Sequence, residues 1–303
     1  MRPESILAHP PKRLSEAQRR FYFEQGYLHL PGFLDAAWLG RLIATMQAFV
    51  DESRACTRSD DKFDLETGHS AATPRLRRLN QPVAHHPTFW ELVSDSPVTD
   101  IAEDLLGPDV KFHHSKLNFK WSGGGQEVKW HQDKPFWPHT NDSVLTIGVY
   151  LAEVDETMGP MGVVPGSHRR ELFSLYDEHR VWTGAIGPNE IGRAAVESAV
   201  YLQGPAGTVT VHNYRAVHGS RPNRHPTRAR PLLLQAYSSA DALPVVPYVM
   251  PCRYDGAIVR GEPARTIEFD GGRCEAPPDW SGGYTSIFAL QQGEAAAAAF
   301  YRG

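Results

Sequence analysis

The sequence predicts a mainly β protein, a sandwich or jelly roll with helices packed on it from the N-terminal side. Three observations point there. Apolar residues recur at helical spacing over the first hundred or so residues, and then at a period of two after Pro108. The later segments are short and separated by turns rich in Gly, Pro and Asn. Strands that follow helices, rather than alternating with them, favour packed antiparallel sheets over a parallel α/β sheet.

The first element opens at Ser15, where Ser15-Glu16-Ala17-Gln18 has the form of a capping box, and it runs to about Gly26, a C-cap glycine. Asp35 caps a second helix whose stripe is Leu39, Leu42, Ile43, Met46, Phe49 and Val50. From Ser53 to Asn80 the chain is polar, with Asp60, Asp61, Lys62, Asp64 and Glu66 close together. It reads as a long surface loop, and loops of that length often serve as lids. Arg75, Arg77 and Arg78 within it read as solvated side chains. A further helix carries Val98, Ile101, Ala102, Leu105 and Leu106 and stops at Gly107-Pro108. Strands follow over 110–120 and 144–151, the second with Leu145, Ile147, Val149 and Leu151 on one face and Thr146, Gly148 and Tyr150 on the other. Shorter strands are expected near 162–164, 199–203, 207–212 and 232–239. The run Ala295–Ala299 reads as a short helix or frayed tail.

A formal net charge of −4 over 303 residues leaves no basic field for nucleic acid or an anionic membrane surface. Cys56, Cys252 and Cys274 are scattered and form no C-x-x-C pair, so neither a disulfide framework nor structural zinc is expected, and a reducing cytoplasm is. The opening MRPESILAHPPKRLSE has no apolar leader core, and no stretch reaches the roughly 18 apolar residues that span a bilayer. Gly123-Gly124-Gly125 and Pro165-Gly166-Ser167 lack the phosphate-loop pattern, and there is no G-x-S-x-G elbow. Nothing in the sequence bears on oligomeric state.

The chemistry-bearing stretch is Trp130–Asp142. His131 and Asp133 are two residues apart, so on extended backbone both side chains project to one side. A third ligand from a neighbouring strand would complete a two-His-one-carboxylate triad, which leaves one side of an iron(II) ion open for oxygen chemistry. His218, about 85 residues further on, stands in His218-Gly219-Ser220, and Arg228 and Arg230 open the apolar strand that follows. An Arg at that place suits 2-oxoglutarate, which chelates iron through one end and needs a bidentate cation for its 5-carboxylate.

Three stretches, Leu117–Asp133, Val149–Arg169 and His218–Leu234, resemble the phytanoyl-CoA dioxygenase family. The resemblance implies a double-stranded β-helix (cupin-like jelly roll) with iron(II) on His131, Asp133 and His218, and an Arg on the 5-carboxylate of 2-oxoglutarate. The family's usual position for that Arg falls on Ala229. Arg230 is the first choice because it directly precedes the apolar strand, and Arg228 is the reserve. Ser220 and Asn118 match positions that contact the cosubstrate in similar hydroxylases; Lys120 is a further candidate, balanced against a surface strand lysine. The expected organisation is one oxygenase domain over 1–303, helical to about 108, with a β-helix core over about 109–242 and a C-terminal extension over 243–303.

Other residues take blander readings. His212 and His168 read as structural, His139 as a turn residue, and Phe136 and Trp137 as either an aromatic wall or core. The adjacent pairs His85-His86 and His113-His114 should point to opposite strand faces, so neither is a ligand set. The segments 53–80 and 176–198 are the lid candidates. The expected reaction oxidises an unactivated C–H bond of a small organic molecule with O₂ and 2-oxoglutarate, releasing succinate and CO₂; desaturation, epoxidation and endoperoxide formation stay open. Asp133 disfavours halogenation, since related halogenases lose that carboxylate. Two rivals remain at this stage, a metal-dependent hydrolase using the same triad and a non-catalytic metal- or 2-oxoglutarate-binding module. A CoA thioester is disfavoured by the lack of a basic patch, unless Arg75, Arg77 and Arg78 fold inward.

Overall fold

The computed structural model describes residues 2–123, 126–269 and 272–277; the alanine run at 295–299 lies outside them. Each predicted helix forms, with ends set by the residues that signal them. A short α1 (Pro3–Leu7) precedes α2 (Glu16–Gln25). At the start of α2 the Ser15 hydroxyl accepts from the Gln18 N–H while the Gln18 side chain accepts from the Ser15 N–H at 2.8 Å. Gly26 ends the helix at φ 80°, and a Cβ there would lie 2.3 Å from His168 Nδ1, so backbone conformation and space both require glycine. In α3 (Ala36–Glu52) the Asp35 carboxylate caps the Trp38 N–H, and Leu42, Phe49 and Val50 are buried. The turns α4 (Pro82–His85) and α5 (Pro87–Ser94) were not foreseen. Both are too short to display a period, and each begins with Pro at its first position. Finally α6 (Pro97–Leu106) starts on a Ser96 cap and stops at Gly107.

The strands are β1 (Tyr27–Leu30), β2 (Phe63–Leu65), β3 (Leu76–Asn80), β4 (Val110–Asn118), β5 (Val128–His131), β6 (Val144–Tyr150), β7 (Met161–Val163), β8 (Val200–Leu202), β9 (Val209–Asn213), β10 (His218–Ser220), β11 (Leu232–Ser239), β12 (Ile258–Arg260), β13 (Thr266–Phe269) and β14 (Gly272–Glu275). The large sheet runs β1-β9-β6-β11-β4-β3-β2 with β12 also on β4, the small sheet runs β5-β10-β7-β8, and β13 and β14 form a separate hairpin. All the pairings are antiparallel.

The alternation read from 144–151 decides which face does what. Leu145, Ile147 and Val149 join Val209, Val211, Leu117 and Leu233 in one core with the helices' Leu42, Phe89, Leu92, Ile101 and Leu105. Their neighbours Thr146, His212, Lys116, Asn118, Leu232 and Leu234 line a cavity shared with the small sheet. Burying the outer face against helices therefore turns a polar row inward.

Segment 53–80 is not the structureless loop expected. It supplies β2 and β3, which extend the large sheet, and Phe63, Leu76 and Leu79 are buried in the core. The dense charge around these few apolar residues masks two short strands, β3 and the edge strand β2, at the end of the sheet. The described part of the C-terminal extension packs on the same body. There β12 pairs with β4, and Tyr254 stacks on Trp90 with ring centroids 3.8 Å apart.

Candidate metal centre and cosubstrate pocket

The small sheet brings the two histidines together, since β5 and β10 are neighbours and His131 lies directly across from His218. A side chain at Gly219 would hold those strands apart, because its Cβ would meet the Val128 carbonyl oxygen at 2.9 Å and the Trp130 ring at 3.2 Å. Asp133 sits just past the end of β5, where its N–H donates to the Tyr214 carbonyl at 2.8 Å. One ligand atom from each of His131, Asp133 and His218 lies within 4.8 Å of the others. Asp133 Oδ1 is 3.8 Å from His131 Nε2 and 3.7 Å from His218 Nε2.

Hydrogen bonding fixes which atoms face the common point. His131 Nδ1 donates to the Lys129 carbonyl at 2.7 Å, and His218 Nδ1 to the Ala216 carbonyl at 3.0 Å. A carbonyl can only accept, so both protons sit on Nδ1 and both Nε2 lone pairs are free for a metal. The other carboxylate oxygen, Asp133 Oδ2, accepts from Thr146 Oγ1 at 3.2 Å and His212 Nε2 at 3.3 Å, which orients Oδ1.

Charge states suit the same purpose. Burial would raise the Asp133 carboxyl, but His218, the bond from His212 and Lys116 together hold it well below the usual carboxylate range. Burial pushes both ligand imidazoles down, His218 the further because His131 and His212 crowd it. One ionised carboxylate and two neutral imidazoles form the donor set a divalent metal requires.

A cavity of about 100 Å³ opens on these atoms. Arg230 lines it at only 2% exposure, and its Nε and one terminal nitrogen are buried without a partner. The guanidinium bonds to Tyr150, but two nitrogens left without a partner fit an anion that enters the cavity. Its backbone pairs with that of Lys120 in both directions, at 2.8 and 3.2 Å. Lys120 is no surface lysine: its Nζ donates to Ser220 Oγ at 2.7 Å and to the Ser220 and Arg221 carbonyls. Burial, helped by Arg230 and opposed by Glu127, pushes it down to about 6. Asn118 lines the cavity, with its Oδ1 accepting from Arg78 Nε at 2.8 Å.

Arg228 is elsewhere. Its side chain is 40% exposed and paired with Glu153 at 2.8 Å and with Asp155. Asn223 Nδ2 holds its carbonyl at 2.8 Å in a turn ahead of β11, and that turn swings the side chain outward. Sequence spacing cannot separate Arg228 from Arg230; the turn does.

Three residues at the site escaped the sequence reading. His212, expected to be merely structural, lies against Asp133. Arg78 lines the cavity instead of a solvated loop, placed there by the β3–β4 register of Arg78 on Asn118. Lys116 also lines it, and its alternation with Asn118 and Lys120 along one strand is a signal that was available. His113 and His114 do not simply diverge, because their Nδ1 atoms are 2.7 Å apart. The register passes from His114 on Ala236 to Phe112 on Tyr237, so His113 is the extra residue of a bulge. His168 Nε2 contacts the Phe23 carbonyl at 3.1 Å and His139 Nδ1 that of Trp137 at 2.8 Å, both structural contacts. Phe136 presents an edge to His131 at 5.9 Å and meets Trp182 from segment 176–198 at 5.2 Å, while Trp137 is buried.

Residues 22–230 match the phytanoyl-CoA dioxygenase (PhyH) family. The chain belongs to this family. It is 34% identical over 235 residues to a probable alpha-ketoglutarate-dependent hypophosphite dioxygenase of Stutzerimonas stutzeri, covering 76% of this chain and 80% of that protein. Identity to the ectoine dioxygenase of Sphingopyxis alaskensis is 32% over 168 residues, covering 50% and 54%. The fold is similar to the crystal structure of S. alaskensis EctD with 2-oxoglutarate and 5-hydroxyectoine, at a TM-score of 0.67 and 24% identity over 84% of this chain and 89% of that one. The family member described here is thus a cupin-like jelly roll and, by class, an iron(II)- and 2-oxoglutarate-dependent dioxygenase. Neither a hydrolase nor a binding-only module finds support among these relatives.

Proposed function

We propose that His131, Asp133 and His218 hold the iron(II), that Arg230, with Lys120 and Ser220 beside it, receives the 5-carboxylate of 2-oxoglutarate, and that the substrate is a compact small molecule. The observation that carries the proposal is the buried guanidinium of Arg230, which bonds to Tyr150 but leaves Nε and one terminal nitrogen without a partner beside the cavity that the triad also lines. When bound, the iron supplies the activation of O₂ that couples decarboxylation of 2-oxoglutarate to oxidation of an X–H bond. One oxygen atom goes to succinate and the other to the product, with CO₂ released.

The chain's own contribution is positional. The Lys129 and Ala216 carbonyls fix the imidazole orientations, and Thr146 and His212 hold the carboxylate. Phe136 and Trp182 wall the His131 side and limit access of water. A cavity of about 100 Å³ favours a small substrate over a CoA thioester. Hydroxylation of a C–H bond is the leading reaction. Hypophosphite, named for the S. stutzeri relative, is a substrate of suitable size, and oxidising one of its P–H bonds would give phosphite. We place this activity in one oxygenase domain spanning the chain and in the cytoplasm, a setting consistent with the free thiols of Cys56, Cys252 and Cys274. Among the described residues no helix is long and apolar enough to cross a membrane.

The test is the visible spectrum of protein loaded anaerobically with iron(II) and 2-oxoglutarate, beside Asp133→Ala. A weak metal-to-ligand charge-transfer band in the wild type, absent in the variant, is expected. Iron binding without a band in the wild type would refute the cosubstrate assignment.

A further inference from the structure

The turn that carries Asp133 hangs on two residues, Tyr214 and Arg215, in the short connection from His212 on β9 to His218 on β10. The Asp133 and Lys134 N–H groups both donate to the Tyr214 carbonyl, at 2.8 and 2.9 Å. On the other side of Asp133, the fully buried Gln132 donates through its amide to the Arg215 carbonyl at 2.7 Å and the Glu171 carbonyl at 3.1 Å. Its side-chain oxygen accepts from the Phe173 N–H at 2.9 Å.

These residues converge on a single carboxylate. Asp142, in the bend ahead of β6, accepts through Oδ1 from Lys134 Nζ at 2.6 Å and from the Tyr214 hydroxyl at 2.9 Å. Through Oδ2 it accepts from Arg215 Nη1 at 2.7 Å. Burial would raise the Asp142 carboxyl, but Lys134 and Arg215 hold it below the usual carboxylate range. Arg215 Nη2 donates to the Arg170 carbonyl at 2.8 Å, which ties the same knot to the next segment. The cavity beside the triad is lined by none of Gln132, Lys134, Asp142, Tyr214 and Arg215.

Two cations share this one carboxylate. Without it, Lys134 and Arg215 would face each other as like charges and move apart. Lys134 follows Asp133 directly, so its displacement reaches the ligand through one peptide bond. Arg215 passes its own displacement to Gln132, on the other side of the ligand. Asp133 Oδ1 stands 3.8 and 3.7 Å from the two ligand Nε2 atoms, a spacing that such shifts would spoil.

We propose that Asp142 is a positioning residue for the metal centre. Its carboxylate draws Lys134, Tyr214 and Arg215 together and so sets where Asp133 stands relative to His131 and His218, without touching metal, cosubstrate or substrate. The inference rests on the triad assignment above.

The experiment titrates the protein with cobalt(II), whose binding reads affinity and whose visible ligand-field bands, at saturation, read the arrangement of the ligands. Asp100 supplies the comparison carboxylate. Like Asp142 it is partly buried and accepts from two cations, Arg13 Nε and Arg260 Nη2, each at 2.9 Å, but it lies on α6, outside this network. Asp142→Asn should bind cobalt(II) roughly tenfold or more weakly than wild type and shift its bands, with far-UV circular dichroism retained. Asp142→Glu should recover most of the affinity. Asp100→Asn should lower the melting temperature and leave both metal readings as in wild type. An Asp142→Asn affinity within roughly threefold of wild type overturns the proposal, as do unshifted bands, a loss that Asp100→Asn reproduces, or no recovery in Asp142→Glu. If Asp142→Asn does not fold, Tyr214→Phe carries the test, because it deletes one of the three donors and keeps the buried ring. It should weaken cobalt(II) binding several-fold, and wild-type affinity there overturns the proposal. Asp133→Ala keeps the two readings apart: cobalt(II) binding as tight as wild type in that variant sinks the triad assignment, and this inference with it.

Discussion

Replacing Arg230 with Met should push stability and cosubstrate affinity in opposite directions. In the ligand-free protein the guanidinium is buried with its Nε and one terminal nitrogen unpartnered, and Met of similar length removes that unpaired charge. Substituting an apolar side chain for a buried ion commonly gains about 1–4 kcal/mol, so the unloaded variant should melt at a higher temperature. With 2-oxoglutarate present the sign reverses. A bidentate Arg–carboxylate contact consists of two charge-assisted hydrogen bonds, and truncating one side of such a buried pair costs about 2–5 kcal/mol. That corresponds to a loss of roughly 30- to several-thousand-fold in affinity. Calorimetric titration of 2-oxoglutarate into anaerobic iron(II) protein and scanning calorimetry without ligand measure the two effects. Arg228→Met is the control: it loses half-exposed pairs with Glu153 and Asp155 and a bond from Nε to His225 Nε2 at 2.9 Å, all away from the cavity, so stability should move by no more than about 1 kcal/mol and affinity scarcely at all. An Arg230→Met affinity within roughly threefold of wild type would refute the assignment, as would a ligand-free variant that melts lower.

Two further predictions follow from the atoms around the triad and the buried lysine. His212→Leu and Thr146→Val each remove one donor to Asp133 Oδ2, so iron affinity should fall roughly 10- to 100-fold in each while the far-UV circular dichroism is retained; unchanged iron affinity would show that the carboxylate is held without them. Lys120 gives a pH signature. Its value of about 6 in the folded chain lies below the ordinary lysine value near 10.4, so between those limits the unfolded chain binds the extra proton. Stability of the ligand-free protein should therefore rise with pH through that window, with Lys120 contributing up to about 1.4 kcal/mol per pH unit. Lys120→Met should flatten the rise in urea melts between pH 6.5 and 9, and coincident slopes would contradict the burial argument. Binding of the 2-oxoglutarate dianion should draw a proton onto Lys120 near neutral pH; titrations in two buffers of different ionisation enthalpy read that uptake.

Much of the protein was legible in its sequence because the signals are local. A Ser-x-x-Gln box, an Asp cap and a glycine that must turn left-handed set helix ends through bonds spanning three or four residues. Alternation over 144–150 told which face of β6 is apolar, and the spacing of His131 and Asp133 put two ligand types on one side of an extended segment. What lay beyond reach depends on which strands meet and at what register. Arg78 reads as a loop cation until β3 pairs with β4 and turns it onto Asn118. Arg228 and Arg230 share a composition and a parity, and they part only because a turn held by Asn223 faces Glu153 and Asp155. His212 becomes a partner of Asp133 when β9 lies beside β6 with His212 opposite Thr146. Backbone chemistry within a few residues is written in the chain itself, whereas a contact across a sheet is decided by the burial of whole faces, which no short stretch of sequence contains.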